Sequence, residues 1–226
     1  MISSTDADQL AREINSQLVA LSSRTAEGMR AVRRQYSPRL ALATSAFVIR
    51  LALRLLGQSD PLCRYLAYEL ISHHRSAFES LGPDQLLKLG QGLDSWSTVD
   101  SFAYFLSGPT WREGRLPDAV IRDWTQSTDR WWRRAALVST VALSRRGSLD
   151  DARRTVETCA TLAADRDDMV VKAMSWALRE LAKKRPEEAR RFLKNRQQTL
   201  AARVIREVEN KLTTGLKNPR RHAARP

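Results

Sequence analysis

The sequence predicts an all-α protein in which helices follow one another in pairs. Only nine Gly and eight Pro occur among the 226 residues, and no Asn-Gly or Asp-Gly turn separates two alternating apolar stretches, so β-hairpins are not expected. Apolar residues instead recur at helical spacing, with capping residues, Gly or Pro at the breaks. Hydrophobic residues make up 42% of the chain, which is long enough to bury a substantial core.

The order of stripes and breaks predicts helices along nearly the whole chain. Apolar residues at positions 10, 14, 18 and 21 form the first stripe. Ser37 and Pro38 are suited to cap and begin the second helix, and Gly57 to end it. The predicted helices are 6 to about 33, 38–56, 61–74, 83 to 90 or 92, 96–107, 116–125, 129 to about 147, 150–163, 167–184, 186–193 and 199–212.

Four aspartates, each at the start of a predicted helix, indicate an internal repeat. They lie 34, 35 and 38 residues apart, and each interval holds two helices; they are Asp60, Asp94, Asp129 and Asp167. Helix pairs at this spacing are typical of HEAT-type α-solenoids, whose stack curves and has a concave face. We therefore predict one HEAT-like domain over residues 1–213 with a basic concave groove. An irregular helical bundle is the alternative.

The charge balance favours a polyanionic partner. Thirty-eight Lys and Arg against 25 Asp and Glu give a net charge of +13, which on a folded domain most often indicates nucleic acid. An acidic membrane surface, or merely a genome rich in Arg codons, would also account for this surplus. Residues 214–226 form a basic tail that is predicted to be disordered.

The remaining composition predicts a soluble protein of the cytoplasm. Cys63 and Cys159 stand far apart among apolar neighbours, without metal-ligand spacing, and are expected to be buried free thiols in a reducing compartment. The polar N-terminus does not resemble a secretory signal. The most apolar stretch, residues 41–56, is too short to span a bilayer and contains Arg50 and Arg54.

The stretch from Leu93 to Phe102 holds the strongest candidate for a functional site. Trp96 and Asp100 are four residues apart, so on a helix they share one face. An unpaired carboxylate in such an apolar, Trp-rich neighbourhood is costly. Asp100 is therefore either salt-bridged to an Arg or held ready for chemistry.

Three segments together resemble a known family. They are Asp94-Ser95-Trp96-Ser97-Thr98-Val99-Asp100, Trp131-Trp132-Arg133-Arg134-Ala135-Ala136-Leu137 and Val171-Lys172-Ala173-Met174-Ser175-Trp176-Ala177-Leu178-Arg179-Glu180. In this order and spacing they resemble the signature segments of the DNA alkylation repair family, the AlkD-type alkylpurine DNA glycosylases built of HEAT-like repeats. The resemblance covers residues 90–212 and includes Arg206-Glu207-Val208, which is similar to the closing helix of that family.

The resemblance implies a set of site residues. Asp100 matches the catalytic aspartate, Trp96 and Trp176 match the aromatics that flank the damaged nucleotide, and Arg134 matches the arginine that holds the DNA backbone. Ser97 stands where the family often has Asp, at a position expected to point away from the face of Trp96 and Asp100. Further DNA-binding candidates are Arg133, Lys172 and Arg179.

The resemblance also implies an activity and a partner. The expected activity is hydrolysis of the N-glycosidic bond of purines alkylated at N3 or N7, in duplex DNA, by a cytoplasmic, nucleoid-associated monomer without metal or cofactor. Two alternatives remain open. One is a non-catalytic binder of distorted or branched DNA, and the other is a HEAT-type scaffold whose positive charge addresses acidic proteins.

Overall fold

The structure, a computed structural model, describes residues 4–145 and 147–219, and every regular element in them is helical. The chain forms two compact units, one ending at Leu116 and the other beginning at Pro117. The prediction of a single domain over residues 1–213 stays a prediction. Each unit has its own buried apolar core.

The first unit consists of eight α-helices and one π-helical turn in its described residues. They are α1 (Ser4–Val19), α2 (Ala26–Leu40), α3 (Ser45–Leu56), α4 (Leu62–Ser72), α5 (Arg75–Glu79), α6 (Pro83–Leu89), α7 (Trp96–Phe102), the π-turn (Ala103–Ser107) and α8 (Gly108–Arg112). They form two layers: α3 packs on α1, α5 and α6, while α4 packs on α2, α7 and the π-turn. The helix α4 also packs on α3, which joins the layers.

The second unit repeats this arrangement more regularly. Its described helices are α9 (Asp118–Thr125), α10 (Arg130–Leu143), α11 (Leu149–Thr161), α12 (Asp168–Lys184), α13 (Pro186–Arg196) and α14 (Ala202–Thr214). One layer runs α9, α11, α13 and the other α10, α12, α14, and each helix also packs on the next along the chain. Such order is that of a helical repeat and confirms the predicted fold class. The basic concave groove stays a prediction.

The first predicted helix, over residues 6 to 33, is wrong, as is a helix beginning at Pro38. The chain leaves helix after Val19, and Thr25 begins α2 by accepting the backbone N–H of Gly28 at 3.3 Å. Helix α2 then continues through Ser37 and Pro38. Pro38 has no backbone N–H, so α2 lacks the bond from this position to the carbonyl of Arg34, and the helix ends two residues later at Leu40.

The expected stop at Gly108-Pro109 is also wrong. The backbone N–H of Gly108 donates to the carbonyl of Ala103, a π-helical bond, and the chain continues directly into α8. Pro109 falls in the first turn of α8, where its missing N–H is not needed. The π-turn thus joins α7 to α8 without a loop.

Three of the four repeated aspartates begin a helix as predicted. Asp60, Asp129 and Asp167 accept backbone N–H groups of the turn that follows, each at 2.8 Å. Asp94 does not cap α7, because Ser95 takes that position. The predicted ends at Gly57 and Gly90 are confirmed.

The C-terminal segment is only partly described. Residues 215–219 follow α14 as bends, and the ammonium of Lys217 lies 3.5 Å from the carboxylate of Glu207. Residues 220–226 of the predicted basic tail lie outside the described residues.

Both cysteines are buried free thiols, as expected. Burial raises the pKa of Cys159 to about 12, and burial together with the nearby carboxylate of Asp60 raises the pKa of Cys63 to about 12. At neutral pH both sulfurs therefore stay protonated and are poor nucleophiles. None of the described helices is long and apolar enough to cross a bilayer.

We expect the folded protein to resist thiol labelling. At pH 8 an aromatic disulfide reagent should leave the native chain almost unmodified, because thiolate and access are both lacking. In denaturant the same reagent should label both cysteines. Stoichiometric labelling of the native chain within minutes would contradict the burial of these residues.

Candidate functional site

The helix α7 begins with a reciprocal cap that fixes its first turn. The hydroxyl of Ser95 accepts the backbone N–H of Thr98 at 3.4 Å, and the hydroxyl of Thr98 accepts the backbone N–H of Ser95 at 3.3 Å. Trp96 is therefore the first helical residue, and its side chain is 58% exposed. The cap fixes the backbone of Trp96, whose aromatic ring is exposed to solvent. A ligand that stacks on this ring therefore orders little further backbone.

Asp100 follows Trp96 by one helical turn and is half-buried. The residues around it on the helix, Val99, Ser101 and Phe102, are buried against the rest of the first unit. Trp96 and Asp100 thus lie on the less buried side of α7. Because residues 96–102 are helical, the four-residue spacing places Trp96 and Asp100 on one face of α7.

Sequence reasoning missed Tyr104, which lies four residues beyond Asp100 on the π-turn. Its side chain is 42% exposed, and its ring meets that of Phe105 edge-on at 5.3 Å between centroids. The available signal was the same four-residue spacing that joins Trp96 to Asp100.

Arg134 lies in the interior of the second unit, with 5% exposure. Its Nη1 donates to the carbonyl of Met169 at 2.6 Å, joining α10 to the first turn of α12. A guanidinium in this place supports the packing of two helices. Its predicted grip on the DNA backbone stays a prediction.

Arg133, the next candidate, is half-buried and holds the start of α10 to a loop. Its Nε donates to the carboxylate of Asp165 at 2.8 Å, and its Nη1 donates to the carbonyls of Ser127 and Thr128, each at 2.9 Å. The sequence indicates a charge beside Arg134 but gives no sign of these partners.

Four residues of α12 form one row on its outer side. They follow one another by four, three and four positions and are Lys172, Trp176, Arg179 and Lys183. The two lysines are exposed, while Trp176 and Arg179 are half-buried. We call this row the α12 stripe. It interleaves three cations with one aromatic, a pattern typical of nucleic-acid binding.

The cations of the α12 stripe are held by nearby polar groups. Lys172 lies 2.6 Å from the carboxylate of Asp168, and Lys183 lies 2.7 Å from that of Glu180. The Nε of Arg179 donates to the hydroxyl of Ser175 at 3.3 Å. Burial lowers the pKa of Arg179, while the carboxylates of Glu207 and Glu180 act in the opposite direction.

A buried carboxylate supports the stripe from behind. Glu207 of α14 is 5% exposed, and it accepts the hydroxyl of Ser175 at 2.5 Å. Arg203 and Lys217 lie 3.9 and 3.5 Å from its oxygens. Glu207 falls in the segment that the resemblance assigns to the closing helix, so that segment contacts α12 through a charged group.

Comparison with known protein families identifies the family of this chain. The family model for the DNA alkylation repair enzyme matches residues 3–212. The chain belongs to this family. From this family we infer that DNA is the partner and that the protein is an enzyme of DNA repair. No curated protein matches the sequence.

The family match extends to the N-terminal ninety residues, which sequence analysis could assign only as helices. The first unit of this DNA alkylation repair protein carries Trp96, Asp100 and Tyr104 on one segment, and the second carries the α12 stripe. Among the described side chains, no three or more His, Cys, Asp or Glu form a group that could hold a metal ion.

The other tryptophans are used mainly for packing. Trp111 and Trp124 are buried, and the rings of Trp124 and Trp132 lie 4.8 Å apart. Trp131 is half-buried, and the guanidinium carbon of Arg130 lies over its ring, 4.9 Å from the centroid. All four are therefore packing or rim residues.

The contacts of Arg133 predict a structural role for this residue. We expect Arg133→Ala to lower the free energy of unfolding by about 2 kcal/mol, because an ion pair and two hydrogen bonds to carbonyls are lost. Urea unfolding followed by circular dichroism would measure this loss.

Arg75→Ala is the matched control for this measurement. Arg75 also pairs with a carboxylate, that of Glu79, but its side chain is 91% exposed. Its loss should therefore leave the urea unfolding midpoint almost unchanged. Equal effects of the two substitutions would contradict the role given to Arg133.

Proposed function

We propose that this DNA alkylation repair protein is a monofunctional glycosylase of AlkD type, which removes N3- and N7-alkylated purines from duplex DNA. One observation carries the proposal: the half-buried Asp100 lies on α7 one turn from a tryptophan that is 58% exposed. The proposal includes action as a monomer on the nucleoid in the cytoplasm.

The chemistry requires little beyond a well-placed carboxylate. Alkylation at N3 or N7 gives the purine a positive charge, so that the base leaves as a neutral molecule. Cleavage of the glycosidic bond then moves positive charge to the sugar, as in glycoside hydrolysis. The carboxylate of Asp100 would stabilise this charge and orient the attacking water.

A general acid is not needed, because the leaving base already carries its charge. A lyase step would need an amine that forms a Schiff base with the sugar. No Lys occurs in α7 or the π-turn. The residues near Asp100 therefore support simple hydrolysis.

Aromatic surfaces complete the proposed site. The face of a tryptophan attracts a cation, which contributes about 0.5–2 kcal/mol according to how well water is excluded. Trp96 has the exposure and the position for such a contact. The corresponding role of Trp176 rests on the family resemblance.

The α12 stripe is the proposed phosphate-binding surface of the second unit. Its lysines are exposed, and exposed ion pairs contribute little stability, so phosphates can compete for them. Arg134 and Arg133 hold protein groups in this unit. The proposal therefore places more weight on Lys172, Arg179 and Lys183 for DNA affinity.

The decisive experiment is release of 7-methylguanine from duplex DNA by wild type and Asp100→Asn. We expect wild type to release the base and the variant to be slower by at least about 100-fold, because the sugar cation loses its carboxylate. Duplex affinity should be equal or slightly higher, because a charge that repels phosphate is removed.

Asp94→Asn is the matched control for the loss of charge. Asp94 is exposed, precedes the same helix and accepts a hydrogen bond from Thr98. Its variant should release base at the rate of wild type. No release by wild type, with tight binding to distorted duplexes, would instead establish a non-catalytic binder of DNA. Failure to bind DNA would favour a protein scaffold.

The α12 stripe predicts the salt dependence of DNA binding. Each released phosphate contact changes the slope of log affinity against log salt by about 0.9. Lys183→Gln should therefore reduce the magnitude of this slope by about 0.9, the value for one phosphate contact, and Lys172→Gln should do the same. Fluorescence anisotropy with an undamaged duplex at several salt concentrations measures this slope.

Arg190→Gln provides the comparison for Lys183→Gln. Arg190 lies on α13, in the other layer of the same unit, and pairs with Glu187 three residues earlier. Its side chain is 48% exposed against 49% for Lys183. We expect an unchanged slope for Arg190→Gln, and equal slopes for both variants would reject the α12 stripe as the phosphate-binding surface.

A further inference from the structure

Exposed aromatic side chains are unevenly placed in this protein. Of the Phe, Tyr and Trp side chains that the structure describes, Trp96 and Tyr104 are the exposed ones, at 58% and 42%. They stand four residues before and four residues after Asp100. Single exposed apolar residues are ordinary on a surface. Two exposed aromatics at equal spacing on either side of the candidate carboxylate instead indicate a shared function.

The backbone places both aromatics on the same side as Asp100. Four residues are close to one turn, both in the α-helix that precedes Asp100 and in the wider π-turn that follows it. The intervening residues Ser101, Phe102 and Ala103 are buried. Trp96, Asp100 and Tyr104 therefore form one outward row along the segment.

Tyr104 rests on a fixed support. Its ring meets Phe105 edge-on at 5.3 Å, and Phe105 in turn meets the ring of Tyr65 edge-on at 5.4 Å. The hydroxyl of Tyr65 donates to the carboxylate of Glu69 at 3.2 Å, and Glu69 is 2% exposed. A ring held in this way loses little freedom when a ligand binds.

We propose that Tyr104 contacts the alkylated nucleotide and favours its positive charge, on the side of Asp100 opposite to Trp96. The inference rests on the proposed glycosylase function and names a further binding residue for it. The ring supplies a negative face to the cationic base, or to the sugar as it becomes cationic. The hydroxyl is not required for this contact.

The test is single-turnover release of 7-methylguanine by variants of Tyr104. At protein concentrations below saturation, we expect Tyr104→Leu to be slower by about tenfold, because the ring faces the positive charge first on the base and then on the sugar. Tyr104→Phe should stay within about twofold of wild type, because the ring is kept. Equal rates for Tyr104→Leu and wild type, or equal losses in Leu and Phe, would overturn the proposal.

Leu87→Ala is the control for loss of an exposed apolar side chain. Leu87 lies on α6, in the other layer of the first unit, and is 43% exposed, close to the value for Tyr104. Its variant should release base like wild type. The circular dichroism spectrum and urea midpoint of Tyr104→Leu should match those of wild type, which separates loss of the ring from a folding defect. Tyr104→Lys also removes the ring but keeps a long side chain. It should be at least as slow as Tyr104→Leu, and a rate equal to that of Tyr104→Phe would overturn the proposal.

A binding measurement separates this inference from the proposed function. In the Asp100→Asn background, affinity is compared for a duplex with 7-methylguanine and one with its uncharged 7-deaza isostere. Replacing Tyr104 by Leu should shrink the preference for the charged base by several-fold, and an unchanged preference would overturn the role of Tyr104. Absence of base release by wild type would defeat the glycosylase proposal, whereas release unaffected by Tyr104→Leu would defeat only this inference.

Discussion

The second unit depends on a buried guanidinium. Every residue of α10 from Arg134 to Leu143 is buried, so the charge of Arg134 must be satisfied inside the protein. Its bond to the carbonyl of Met169 supplies one of the polar partners it needs and ties the first turn of α12 to α10. The register of α12 against α10 determines which residues of α12 face outward, and hence the composition of the α12 stripe.

A charged group also holds α14 against α12, the neighbouring helix of the same layer. Glu207 reaches α12 through the hydroxyl of Ser175, and the same hydroxyl accepts the Nε of Arg179. A cation on the outer surface is thus connected to a carboxylate in the interior. The carboxylate of Glu207 keeps the Arg179 side chain oriented, and the burial of Arg179 lowers the pKa of its guanidinium. Because the side chain is already oriented, it loses fewer rotamers when a phosphate binds.

The fold class could be predicted because helix periodicity and capping are local signals. Asp60, Asp129 and Asp167 cap helices as their positions indicate. The errors came where two local signals competed. Ser37-Pro38 has the residue types of a helix start but lies inside α2, and Gly108-Pro109 has those of a helix stop but is bridged by the π-turn.

The candidate site was predictable only in part, because resemblance marks residue types without their surroundings. Trp96 and Asp100 lie on an outward side of α7, which the four-residue spacing implies. The burial of Arg134 and the partners of Arg133 depend on residues more than thirty positions away, Met169 and Asp165. No local pattern contains that information.

The π-turn has a consequence for how this surface could change. A π-turn holds one residue more than the α-helical turn it replaces. Deleting one residue between 103 and 107 would therefore convert it to an α-helical turn and leave the residues that follow in nearly the same direction, so that Trp111, now buried at 2% exposure, would stay in the core. The segment beside Asp100 can thus lose one residue at this turn while the core of the first unit keeps its backbone register.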